Sequence, residues 1–304
     1  MLAVSTAWNS SRYDDVRRML EDFRAWGISA LELSYRLSSY QLDLLSEIIY
    51  ESGFSVVSVH NFCPLPRPEV KKRYYCDYYR ISSLNEQERK QAVFLTRQTI
   101  DTAVKFKSPL VVVHAGMVEL KAGYGRHLVN LFREGKVFSE EYRKSLNSFL
   151  SAREKAKQPF LEAAEKSLNE ILDYAFDRGI KIGLENRYYP AEIPSLTEAE
   201  DILPRYNSRG LVYWHDSGHA AANERLLFCP ADAFLEKLGR YCAGFHIHDL
   251  KGIDDHMAPF SGDDDFSFLK PYFKKNIPLV IEAHSKAAPE EMKTAVARLK
   301  EMID

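Results

Sequence analysis

Leu211-Val212-Tyr213-Trp214-His215-Asp216-Ser217-Gly218-His219 decides the reading of this chain. Its first half is apolar, β-branched and aromatic, which suits a buried strand. Its second half turns abruptly to imidazole and carboxylate, the side chains that bind ions such as zinc and manganese. The same ending recurs elsewhere. Apolar runs stop at His60, at His114, at Glu185, at His246-Ile247-His248 and at Glu282. Of nine histidines, only His127 lies in a polar, basic stretch; the others fall at or a few residues past such a run.

Working outward, eight short strands are expected near residues 2–6, 30–34, 55–60, 110–114, 181–185, 211–216, 244–248 and 278–283. Helical patterns fall between them, near 13–26, 39–52, 85–106, 159–178, 197–206, 231–238 and 289–302, with a short helical segment near 266–273. Asn85 and Ser195 or Thr197 look like helix starts, and Gly27, Gly53 and Gly179 like stops. Strand alternating with helix implies a parallel sheet with helices outside. The expected fold is α/β: one (β/α)8 barrel over residues 1–304, with insertions after the third strand (about 61–84) and the fourth (about 115–158). The second insertion should hold a helix near 139–151. An open doubly wound sheet fits less well, because no Gly-rich phosphate loop follows the first strand. Both insertions belong to strand-to-helix connections, so they should wall the C-terminal mouth of the barrel. The first interleaves basic residues and tyrosines over 67–80, read as an amphipathic lid.

The chain has 304 residues, 45% hydrophobic and 28% charged, with a net charge of −2. That balance supplies a full core and no global basic field for nucleic acid. No apolar run approaches the ~20 residues of a membrane span. Met1-Leu2-Ala3-Val4-Ser5 shows no basic or cleavable leader. Cys63, Cys76, Cys229 and Cys242 show no metal or disulfide spacing and are expected to be reduced thiols of a cytoplasmic protein.

The period-two spacing of His246 and His248 projects both rings to one side of a strand. Asp216 and His219 can both face the mouth across a strand-to-helix bend. His215 should point away from Asp216. His284, two beyond Glu282, can support it from the same face. Asp254-Asp255-His256 offers further donors from a loop.

With Leu184-Glu185-Asn186-Arg187, His215-Asp216-Ser217-Gly218-His219, His246-Ile247-His248-Asp249, Asp254-Asp255-His256 and Ile281-Glu282 in this order, the chain resembles the xylose-isomerase-like barrels. That superfamily holds sugar isomerases, ketose 3-epimerases, inosose dehydratases and the endonuclease IV group. The resemblance covers nearly the whole chain outside the insertions. The epimerase-like members imply one divalent ion (Mn, Zn, Co or Mg) on Glu185, Asp216, His246 and Glu282. They also imply proton transfer by Glu185 and Glu282 through a metal-stabilised enediolate, a sugar-like substrate held by His219, and a place in carbohydrate metabolism. Arg187, Lys251 and Glu32 are further substrate-binding candidates; Glu32 can alternatively pair with Arg36. The endonuclease-like members imply up to three zinc ions, which would add His60, His114, His219, Asp254 and His256 as ligands, and hydrolysis of abasic DNA. A non-catalytic, metal-dependent sugar-binding barrel is the third reading. Against a nucleic-acid substrate stand Arg187-Tyr188-Tyr189-Pro190 in place of a Gly-rich loop, and the acid Asp255 where a basic residue would meet phosphate. Against the epimerases stands Lys251 where they often carry Arg. Barrels of this group often pair into homo-oligomers.

Overall fold

Strands buried on both faces build the molecule. The computed structural model describes residues 1–66, 77–120 and 124–303. Its sheet is a closed barrel of parallel strands: β1 (Leu2–Ser5), β2 (Ala30–Leu33), β3 (Ser55–His60), β4 (Leu110–Val113), β5 (Lys181–Glu185), β6 (Leu211–Asp216), β7 (Cys242–Ile247) and β10 (Leu279–Ile281), which pairs back to β1. Between β7 and β10 lies an antiparallel hairpin, β8 (Asp249–Lys251) and β9 (Asp254–Met257), which the sequence pattern did not anticipate. This is the eight-stranded barrel expected from the sequence.

The strands are apolar on both faces because one face meets helices and the other fills the barrel. Leu211, Tyr213, Phe245 and Ile247 join the large outer core with the helices. Ala3, Ala30, Leu110, Val112, Val212, Trp214 and Val280 form a separate inner cluster. Trp214 is its centrepiece. A Cβ at Gly244 would stand 2.0 Å from the indole, and one at Gly183 would stand 3.3 Å from Trp214 Cβ. Two strands therefore carry no side chain where the ring lies, so one large side chain can plug the barrel. One layer above this plug, the inward rows continue into Glu185, Asp216, His246 and Glu282.

The helices are α1 (Val16–Ala25), α2 (Ser39–Ile48), α3 (Glu86–Lys105), α4 (Tyr124–Arg133), α5 (Glu140–Phe176), α6 (Leu196–Tyr206), α7 (Ser217–Arg225), α8 (Ala231–Leu238) and α9 (Pro289–Ile303). Asn85 caps α3, and Ser195, rather than Thr197, caps α6 in a full capping box with Glu198. The short segment near 266–273 is a 3-10 helix, Ser267–Tyr272.

The expected break between helices near 139–151 and 159–178 does not occur. One 37-residue helix, α5, runs through Pro159. Pro159 lies on the exposed face, so solvent can satisfy the carbonyl it leaves unbonded. On the other face, Phe149, Arg153 and Phe160 are buried, and tertiary packing overrides the local signal. The basic, tyrosine-rich stretch read as a lid falls largely on residues 67–76, outside the described residues, as does Cys76. Cys63, Cys229 and Cys242 are free thiols. Among the described residues, no helix is long and apolar enough to cross a membrane.

Candidate metal centre

The C-terminal ends of β5, β6, β7 and β10 bring Glu185, Asp216, His246 and Glu282 together, each offering a ligand atom within 4.8 Å of the others. His246 is the hub. Its Nδ1 lies 3.0 Å from Glu282 Oε2, 3.3 Å from Glu185 Oε1 and 3.8 Å from Asp216 Oδ2. Its Nε2 lies 2.9 Å from Glu32 Oε2, which also accepts a hydrogen bond from Ser58 Oγ at 2.8 Å. Glu32 therefore grips His246 rather than pairing with Arg36. The indole of Trp214 meets the His246 ring edge-on, 5.1 Å between centroids, and forms the floor.

Asp216 is fixed from several sides. Its Oδ1 caps α7 by accepting from the backbone N–H of His219 at 2.7 Å. Asn186 bonds both backbone groups of Asp216: its Nδ2 donates to the carbonyl at 2.9 Å and its Oδ1 accepts from the N–H at 2.8 Å. His248 Nε2 donates to the Asp216 carboxylate at 3.0 Å, while His248 Nδ1 accepts from the backbone N–H of His256 at 3.1 Å. Both nitrogens of His248 are thus engaged, and His248 supports Asp216. His215 faces the opposite side of β6, fully buried, and burial lowers its pKa to about 3. Burial likewise lowers His219 to about 4, leaving its imidazole neutral near pH 7. His219 Nδ1 lies 3.0 Å from the Asn186 carbonyl, so Nε2 is the nitrogen it can offer a ligand.

Glu185 splits its two oxygens. Oε1 faces His246 and His219 (3.3 and 3.4 Å), and Oε2 faces His114 at 2.8 Å and His60 at 3.6 Å. Burial would raise the Glu185 pKa, but His114 and the other imidazoles outweigh it and hold it well below the usual carboxylate range. Asp77, outside the expected site, approaches His114 Nδ1 at 3.3 Å. Arg187 lies against the same group and is ion-paired with Glu192 at 2.8 Å.

Of the residues expected to supply further ligands, His60, His114, His219 and His256 lie at the mouth and Asp254 does not. The Asp254 side chain is 77% exposed and pairs with Arg133 at 3.0 Å. The adjacent Asp255, 33% exposed, lies 3.0 Å from His256 Nδ1 instead. Strand alternation alone would put Asp254 and His256 on one face. A left-handed backbone at His256 (φ 57°) breaks that alternation and turns the ring toward the site. His256 then stacks between His248 and His284, with centroids 4.3 and 3.8 Å away. Tyr35 Oη meets His284 Nε2 at 3.1 Å and completes this wall of rings. Lys251 is exposed on the hairpin, opposite Asp254 in register. Asn186, Asp77 and Asp255 were missed as site residues, although Asn186 and Asp255 stand inside the quoted motifs.

Glu32, Glu185, Asp216 and Glu282 are all buried around one imidazole. So many carboxylates out of water require positive charge among them. Three oxygen donors and one nitrogen donor, held at one point by four rigid strands, suit a hard or borderline divalent ion.

The family model described as Xylose isomerase-like TIM barrel matches residues 20–302. The chain belongs to that family. Two uncharacterized proteins of Methanocaldococcus jannaschii are similar to this xylose isomerase-like barrel. One is 26% identical over 84% of this chain and 87% of its own length; the other is 30% identical over 62% and 54%. Among solved structures, a putative xylose isomerase from Rhodospirillum rubrum superposes with a TM-score of 0.73 at 16% identity, covering 99% of this chain and 98% of that one. A D-tagatose 3-epimerase-like protein superposes at 0.68 and 21% identity, covering 99% and 96%. These likenesses show the fold, and the structural neighbours are sugar isomerases and epimerases.

Proposed function

We propose that this chain is a divalent-metal-dependent isomerase or epimerase of a small sugar or similar polyhydroxy carbonyl compound. The observation that carries the reading is the pair Glu185 and Glu282, two buried carboxylates from strands separated by β6 and β7 that meet at a single imidazole, 3.3 and 3.0 Å from His246 Nδ1. Glu185, Asp216, His246 and Glu282 would hold the ion. When bound, it supplies Lewis acidity toward the substrate's carbonyl and hydroxyl oxygens.

The chain's own residues do the rest. One of Glu185 and Glu282 removes the proton from the carbon beside the carbonyl, leaving an enediolate, and the other returns a proton. Exchange between two carbons gives isomerisation; return to the opposite face of the same carbon gives epimerisation. Neutral His219 offers Nε2 to a substrate oxygen. Abasic-site hydrolysis is less well supported, because Asp254 lies away from the mouth and the acid Asp255 takes its place.

The test is solvent exchange. Protein loaded with Mn, Co, Mg or Zn is incubated with a ketose panel in deuterated water and carbon-bound deuterium is measured. Metal-dependent incorporation that disappears in Glu282→Gln is expected. Saturable sugar binding without exchange would favour the binding-barrel reading, and cleavage of abasic duplex the hydrolase.

A further inference from the structure

A second group of donors converges beside the first, and an arginine occupies it. Glu185 Oε2 lies between two imidazoles, 3.6 Å from His60 Nε2 and 2.8 Å from His114 Nε2, whose ring centroids are 4.9 Å apart. The His60 tautomer is fixed by Nδ1 donating to the Asn61 carbonyl at 2.8 Å, so its Nε2 presents a lone pair toward Glu185. Two imidazoles and a carboxylate in this arrangement would ordinarily suit a transition-metal ion. Here Arg187 Nη1 lies 2.5 Å from His114 Nε2 and 3.4 Å from Glu185 Oε2.

The guanidinium is clamped in that position. Its Nε and Nη2 both donate to Glu192 Oε1, at 3.3 and 2.8 Å. Glu192 Oε2 accepts from the backbone N–H of Tyr189 at 2.7 Å, and the Glu192 carbonyl accepts from Arg153 at 3.0 Å. Arg187 and Glu192 are buried, so the charge is fixed and poorly screened. Arginine cannot give up this charge by deprotonation, as a lysine could.

We infer that the Arg187 guanidinium is a built-in cation that takes the place of a second metal ion beside His60, His114 and Glu185, so that the centre holds one ion. Arg187 neutralises Glu185 Oε2 and leaves Oε1 to face His246 and His219. This rests on the metal-dependent reading above and deepens it, because Arg187 becomes the residue that sets the ion count.

The experiment is metal stoichiometry, which needs no activity. Wild-type protein, Arg187→Met and Arg187→Lys are stripped with chelator, titrated with Co2+ followed by its visible absorption, and assayed after Zn2+ loading by elemental analysis. One tight ion is expected in wild type and in Arg187→Lys, and two in Arg187→Met. Two or more tight ions in wild type overturn the inference whether or not the variants fold. A folded Arg187→Met that stays at one ion also overturns it, while leaving the proposed function intact. No ion in wild type overturns both.

Discussion

Glu32 and His246 face each other at 2.9 Å, carboxylate oxygen against Nε2, beneath the group of acids that meets Nδ1 of the same ring. With Ser58 donating to the same oxygen, Glu32 holds a proton on Nε2, so Nδ1 is the nitrogen that faces Glu185, Asp216 and Glu282 and can ligate once its own proton leaves. A carboxylate behind a ligating histidine typically contributes a factor of about 10–100 in metal affinity. Glu32→Gln should weaken Zn2+ binding by about that factor, measured by competition with a chromophoric chelator, without changing the circular dichroism spectrum. Unchanged affinity would mean that His246 keeps its orientation without the charge.

The same ring predicts the pH dependence of metal binding. Burial opposes charge on His246, but Glu282, Glu32 and Glu185 outweigh burial and raise its pKa well above the usual 6.5. In the metal-free protein this proton stabilises the fold below the unfolded pKa, and that contribution is lost as pH rises through the raised folded value. A bound ion must displace the proton. Affinity should therefore rise about tenfold per pH unit while His246 is protonated. Calorimetry in buffers of different ionisation enthalpy should report close to one proton released per ion; no release would show that His246 is not a ligand.

Gly218 is required by close approach. A Cβ there would stand 2.0 Å from His248 Cε1 and 2.4 Å from Nδ1, and that ring is pinned between Asp216 and the His256 backbone. Gly218→Ala must push His248 aside and loosen Asp216. Denaturant unfolding should show a loss of about 1–3 kcal/mol, accompanied by weaker metal binding. A fully stable variant with wild-type affinity would show that His248 has room to move.

Arg153 ties α5 to the start of α6. Its Nη1 and Nη2 donate to Glu198 at 2.6 and 2.8 Å, and both partners are buried. Arg153→Met leaves the Glu198 carboxylate buried without its partner and should cost about 3–5 kcal/mol by urea unfolding. Adding Glu198→Leu should recover part of that loss. A single variant as stable as wild type would mean that water reaches Glu198.

Legibility followed the range of the interactions. The barrel strands were readable because apolar runs ending in His, Asp or Glu repeat along the chain. Period-two alternation separated His215, outward on β6, from Asp216, inward. It failed at His256, where one left-handed residue reversed the face and exchanged Asp254 for Asp255. The Pro159 signal failed because burial of Phe149 and Phe160 on the far face of α5 outweighs one missing backbone hydrogen bond. The hairpin of β8 and β9 was hidden because its strands are short and polar.

The sequence by itself determined the closed parallel barrel and the rows that aim Glu185, Asp216, His246 and Glu282 at its mouth, since both follow from local periodicity. Tertiary structure decided the partners of those residues. Glu32 and His246 are distant in sequence, as are Arg187 and His114, and no local pattern encodes a contact between separate strands. Only closure of the barrel places Glu32 behind the hub imidazole and Arg187 among the second group of donors.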